Sequence, residues 1–294
     1  MPKHKFWVRF LVVCSLLGIA EPEFGQALIP RTLQLNSAAL EQQGLSLAQE
    51  AAQLAQFQQY EQALPRARLA TQLAPRSYQS WFLLGGLYLQ TNQYNQAIAA
   101  LDRARLLDAK NPSILFALGS AHFQQGKYQA AIDSLQAGLK LKPNDPEGLF
   151  DLGNTYYKLG RFPEAIASYN QATTSDKKFW PAVNNIGLIK YEQGDADAAI
   201  KHWQAALAVE KQAAEPQLAM AVALYTKGDR QRGIAMGQAA LRIDQRYGNI
   251  EFLKENLWGD RLIADTQKML ATPQIQATLQ EPPQQPGQIQ VIPQ

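Results

Sequence analysis

Cysteine is all but absent. Cys14 is the only one in 294 residues, inside an apolar run near the N-terminus, so neither a disulfide framework nor a cysteine metal site can be built. Histidine is nearly as scarce. His4, His122 and His202 are the whole supply, and none has a histidine or cysteine partner at the short spacing that brings two ligands to one metal ion. Phosphate-loop, dinucleotide and nucleophile-elbow motifs are missing too, which leaves no catalytic residue, metal or cofactor to expect. Charge is thin: Asp, Glu, Lys and Arg make up 18% of the chain, below the roughly 25% of ordinary soluble proteins. Net charge is +3, from 28 basic and 25 acidic residues. No five like charges run together, so no basic patch tracks a phosphate backbone and nucleic acid is not an expected partner.

Long apolar runs are missing as well, with one exception. Behind Lys3, Lys5 and Arg9, the run Phe10–Ala20 has little polarity except Ser15, and Glu21, Pro22 and Glu23 follow it. The run is far short of the ~20 residues that span about 30 Å of hydrocarbon. It matches the apolar core of a signal peptide with cleavage after Ala27, so residues 1–27 are expected to be an export leader. Counting Phe6 and Trp7 into the run gives the rival reading, an uncleaved membrane anchor over residues 6–20. Either way the rest of the chain is carried across a membrane.

What the chain has instead is a period of 34 residues. Glycine falls at Gly85, Gly119, Gly153 and Gly187, and alanine at Ala63, Ala97, Ala131, Ala165 and Ala199. A period held this strictly predicts a repeat array, each unit two helices that approach closely where the small residues sit. Between the helices of successive units stand Asn92, Gly126, Gly160, Gly194 and Gly228, residues that accept left-handed backbone angles at a helix C-terminus.

These signatures resemble the tetratricopeptide repeat (TPR) family. The unit opening at Tyr78 supplies Trp81, Leu84, Gly85, Tyr88, Ala97, Leu101 and Ala104, and the one opening at Pro146 supplies Leu149, Leu152, Gly153, Tyr156, Ala165, Tyr169 and Ala172. The resemblance implies an all-α, right-handed superhelical solenoid of six repeats over 44–247: 44–77, 78–111, 112–145, 146–179, 180–213 and 214–247. Residues 28–43 are a lead-in. The first repeat is the weakest match, with Glu50 and Ala51 in place of Leu-Gly. The sixth carries Gly233 and Gly237 in its second helix, which predicts looser packing there. Residues 248–271 read as one capping helix over the last hydrophobic face, and 272–294 as a Pro/Gln-rich disordered tail.

In this family the first helices line an inner groove, and positions 5 and 12 of each repeat place Phe82 and Leu89, Phe116 and Phe123, Phe150 and Tyr157, Asn184 and Tyr191, and Leu218 and Tyr225 along it. Such rings also suit an inter-repeat core. Positions 4, 7, 8 and 11 already supply a core face, however, so a second apolar face predicts a partner. The family often grips a peptide backbone with paired asparagines, and Asn154 and Asn185 hold those places. Its carboxylate clamp needs cations where this chain has Phe150, Glu215 and Ala219, so that clamp is not expected.

The expected function is a non-enzymatic scaffold that binds a peptide or helical segment of a protein client. The alternative is a carrier of an apolar small molecule or lipid. A weaker resemblance, carried by Gln-rich repeats behind one hydrophobic leader and by the closing run FLKENLWGDRLIADTQKML, is to cyanobacterial membrane-associated TPR assembly factors. It implies a photosynthetic assembly client or light-dependent protochlorophyllide oxidoreductase as partner. The location it implies is the periplasm or thylakoid lumen, or a single pass in the thylakoid or plasma membrane.

Overall fold

The computed structural model describes residues 36–282. The leader or anchor expected over 1–27, the lead-in as far as residue 35, and residues 283–294 of the tail lie outside the described residues. Six helix pairs follow one another: α1 Ser37–Gln56 with α2 Tyr60–Leu73, α3 Tyr78–Gln90 with α4 Tyr94–Leu107, α5 Pro112–Gln124 with α6 Tyr128–Leu141, α7 Pro146–Lys158 with α8 Phe162–Ser175, α9 Trp180–Glu192 with α10 Ala196–Val209, and α11 Ala214–Thr226 with α12 Arg230–Ile243. Each helix packs on its partner, and each second helix packs on the first helix of the next pair. Among the described residues there is no strand, and no helix is long and apolar enough to cross a membrane.

The 34-residue period works as a knob and a hole. A constant spacing of 16 residues pairs Gly85 with Leu101, Gly119 with Leu135, Gly153 with Tyr169 and Gly187 with Trp203, and all four knobs are fully buried. A Cβ on Gly85 would lie 2.6 Å from Leu101, and one on Gly187 would lie 2.5 Å from the Trp203 ring. The first helix must therefore be bare at that point for the second to close on it. In the first pair the same place holds Ala51 against Ala67, both solvent-free: a smaller knob leaves room for the extra methyl. The turns then reverse the chain through left-handed residues. Asn92 (φ 57°), Gly126, Gly160, Gly194 and Gly228 all have positive φ, and so does Gln58 (φ 58°), which occupies the same place in the first repeat.

The C-terminal region departs from expectation. The sixth pair is not loose. A Cβ on Gly233 would stand 2.8 Å from the Ala221 carbonyl oxygen, and the space beside Gly237 is taken by Met269 and Ile275. Nor is 248–271 one helix. After a 3₁₀ turn at Gln245–Gly248, the chain forms α13 Ile250–Glu255, α14 Asp260–Leu270 and α15 Pro273–Leu279. The break between α13 and α14 falls at Leu257, whose φ is 67°, followed by Gly259. The first residues of the expected disordered tail are helical because Ile275 is fully buried and Pro273 occupies the first turn of α15, where its missing N–H costs nothing. Gln238 of α12 donates from its amide nitrogen to Thr278 Oγ1 at 3.0 Å, and Arg242 grips Glu281 with two hydrogen bonds of 2.9 and 3.0 Å. It is thus α15 that packs on α12, while α14 packs on α11 and reaches back to α9.

Candidate functional site

The first helices α5, α7, α9 and α11 contribute to one cavity of about 240 Å³, and residues Glu255–Leu257 at the end of α13 close it. Each predicted groove residue can be placed against this cavity. Phe123, Phe150, Asn154 and Asn185 line it. Phe116 does not face it: its ring wedges between Gly138 of α6 and Gly148 of α7, where a Cβ would come within 2.6 Å. Phe82 and Leu89 pack partly buried among Leu101, Ile114 and Leu118. Tyr157 leans on Phe162 at 5.6 Å between ring centres, and the Arg230 guanidinium stands 5.5 Å from the Tyr225 ring.

The other half of the predicted stripe is covered. Tyr191 is 2% exposed and Leu218 0%, in one core with Leu253, Trp258, Leu262 and Ile263 of the C-terminal segment. Tyr191 Oη donates to Asp265 Oδ2 at 2.8 Å. Glu192, the last residue of α9, accepts hydrogen bonds from the backbone N–H groups of Arg261 and Leu262 at 3.1 and 2.9 Å. It caps α14, whose own N-cap, Gly259, has no side chain to do so. An exposed aromatic stripe along five repeats is therefore corrected to a groove open beside α5 and α7 and filled from within beside α9 and α11. The chain's own apolar segment covers that second face, because α13–α15 must bury their leucines somewhere and the last first-helices offer the matching surface.

The two asparagines meet, but they meet each other. Asn154 Oδ1 accepts from Tyr169 Oη at 2.7 Å and from Asn185 Nδ2 at 2.9 Å, and Asn184 Nδ2 donates to Asn185 Oδ1 at 3.1 Å. Asn184 and Asn185 are 1% and 5% exposed. The pair stitches the fourth repeat to the fifth, which takes up acceptor capacity that a peptide would otherwise use.

Sequence reasoning missed the carboxyls. Asp151 and Glu215 both line the cavity. Burial pushes the Asp151 carboxyl up to about 7, with like charge from Glu147 and Asp145 adding to it. Burial likewise pushes Glu215 up to about 7, against hydrogen bonds with Trp258 and Asn184 that pull the other way; Trp258 Nε1 donates to Glu215 Oε1 at 3.0 Å. The sequence does carry a signal for one of them, since Glu215 stands where the family's clamp would need a cation. Burial lowers the His122 and His202 pKa values, and among the described residues no three His, Cys, Asp or Glu side chains gather closely enough to hold a metal ion.

A TPR repeat family model matches residues 119–160, 153–194 and 187–228, and a model for anaphase-promoting complex, cyclosome, subunit 3 matches residues 56–138. No curated protein matches the sequence. Among solved structures, MamA is similar with a TM-score of 0.51 and 26% identity, over 55% of this chain and 95% of that one. Cut9–Hcn1 of the APC/C is similar with a TM-score of 0.61 and 20% identity, over 75% of this chain and 44% of that one. YrrB, described as a TPR protein with an unusual peptide-binding site, has a TM-score of 0.50 and 21% identity, over 65% of this chain and 96% of that one. With the knob-and-hole helix pairs and the left-handed turns, these matches identify the repeat array of this chain as a tetratricopeptide-repeat solenoid.

Proposed function

We propose that this protein is a non-enzymatic scaffold that holds an extended segment of a protein partner in the open stretch of groove along α5 and α7. The observation that supports this reading is the division of the groove. The apolar surface on α9 and α11 is already covered by α13 and α14, whereas the surface around Ser120, Phe123, Gln124, Phe150 and Asp151 frames a cavity. TPR solenoids mediate protein–protein interactions, and YrrB, of the same fold, is described by its peptide-binding site. Nothing favours the carrier reading: the cavity is small and its lining is largely polar, with Asp151, Asn154, Asn185 and Glu215.

The finer reading follows from the N-terminal sequence. Export or membrane anchoring by residues 1–27 would make the scaffold an assembly or biogenesis factor acting beyond a membrane. A photosynthetic client or protochlorophyllide oxidoreductase rests on the Gln-rich repeats behind one hydrophobic leader and on the closing sequence run. A photocrosslinking residue placed at Gln124 in the groove, with Asp133 on α6 as control, tests the scaffold in its native cells. Discrete adducts from the Gln124 position and none from the Asp133 position are expected. Equal labelling from both, or none from either, would refute the groove. N-terminal sequencing of the same material separates a chain starting at Leu28 from a membrane-bound chain with its start intact, and an intact soluble chain refutes the export reading.

A further inference from the structure

Asp151 is a carboxyl without a partner. It is partly buried on the cavity wall, its charged neighbours are the acids Glu147 and Asp145, and among the described residues its side chain makes no hydrogen bond or ion pair. Burying an unpaired charge is costly unless an opposite charge meets it. No Lys, Arg or His lines the cavity, while Glu215 and Glu255 do. A second cavity shares Ser120 and Asp151 with the first and continues along Asp145 and Glu147; the one lysine on it, Lys142, is already paired with Asp145 at 2.6 Å. Apolar walls complete the first cavity, with Phe123, Phe150 and Leu257. The enclosed space suits one long side chain and is too small for a helix.

We propose that this cavity seats a lysine or arginine side chain of the bound segment, with its cationic head toward Asp151 and Glu215 and its methylene stem along Phe123, Phe150 and Leu257. The proposal rests on the scaffold reading above and adds the chemistry of what is recognised. Long cationic side chains bury their stems against apolar surface, and ring faces attract the cation as well. A metal ion is a poorer occupant, since no three-ligand set forms among the described residues. The recognition is the inverse of a cationic clamp: a positive partner on a negative groove.

The test uses full-length protein and dye-labelled, end-blocked nine-residue peptides of alanine, serine and leucine. Their central residue is lysine, arginine, norleucine, glutamine or glutamate, and binding is followed by fluorescence anisotropy. The lysine and arginine peptides are expected to bind about tenfold more tightly than the norleucine peptide, a 1.4 kcal/mol difference. The preference should grow from pH 6 to pH 8 as Asp151 and Glu215 ionise. The other groups facing them are Asp145 at the N-cap of α7, Glu147 on α7, Tyr169 on α8 and Glu255 on α13. Asp151→Asn should bring the lysine and norleucine peptides to near-equal affinity, and Glu215→Gln should weaken the preference in part; circular dichroism confirms that both variants are folded. Equal binding of the lysine and norleucine peptides by the parent, or an unchanged preference in Asp151→Asn, overturns the charge assignment and leaves the groove standing. Binding of no peptide at all removes the groove reading together with it.

Discussion

Asp151 and Glu215 each weaken the folded state through the burial of a carboxyl. Both carboxyls are raised to about 7 by burial, while an unfolded Asp or Glu titrates near 4. Between those values the folded state holds protons that the unfolded state has released, so the contribution of each to stability is full below about pH 4 and falls as pH rises through about 7. Asp151→Asn removes that dependence. Thermal melts should show the variant near the parent at pH 4 and more stable by several degrees at pH 8; a variant equally displaced at both pH values would mean that Asp151 is not buried as described. Glu215 could be read in sequence as a departure from the clamp, because the repeat register names its position. The burial of Asp151 could not, because nothing in a 34-residue period says which polar positions a neighbouring repeat encloses. The asparagine pair was legible as a pair for the same reason of register, and its bonding to Tyr169 was not.

At the scale of the helix, two glycines make opposite forecasts. Gly86 of α3 has open space where a Cβ would go, and Gly187 of α9 has the Trp203 ring 2.5 Å away. Alanine in a helix interior is better than glycine by roughly 0.5–1 kcal/mol, so Gly86→Ala should raise the melting temperature slightly. At Gly187 the same gain is outweighed by overpacking, typically about 1–3 kcal/mol, because Trp203 is wholly buried and has nowhere to move. Gly187→Ala should lower the melting temperature, and equal shifts in the same direction would contradict the knob-and-hole account. These contacts were legible because hole and knob recur with the repeat. The left-handed turns were legible at Asn92 and the four glycines; Gln58 was not, since a glutamine carries no preference for positive φ and is held there by the helices on either side. The phenylalanines were ambiguous for a physical reason. A position on a first helix can face the groove or the next repeat, and only the size of the residue opposite decides. Phe116 fell into the gap left by Gly138 and Gly148, while Phe123 and Phe150 stayed on the cavity wall.

Across the solenoid as a whole, repeats contact their neighbours, so stability is a sum of local terms. The exception is the C-terminal segment, which reaches from the last repeat back to α9 through Glu192, Tyr191 and Asp265. Hydrogen bonds to charged groups contribute roughly 1.5–3 kcal/mol each. Glu192→Gln combined with Asp265→Ala should therefore speed amide exchange through α13 and α14 and leave α3 to α8 unchanged; faster exchange across the whole array would show that the segment is not a local tie. The sequence by itself determined the all-helical repeat array, its register and most of its turns, because each of these is a local matter of spacing and small residues repeated every 34 positions. Only the tertiary structure decided which half of the groove stays open. A run of leucines and a tryptophan after the last repeat must be buried, but the face that buries them depends on where Leu257 and Gly259 turn the chain and on which carboxylate meets the exposed end of α14. Those choices are made between residues far apart in sequence, where no period reaches.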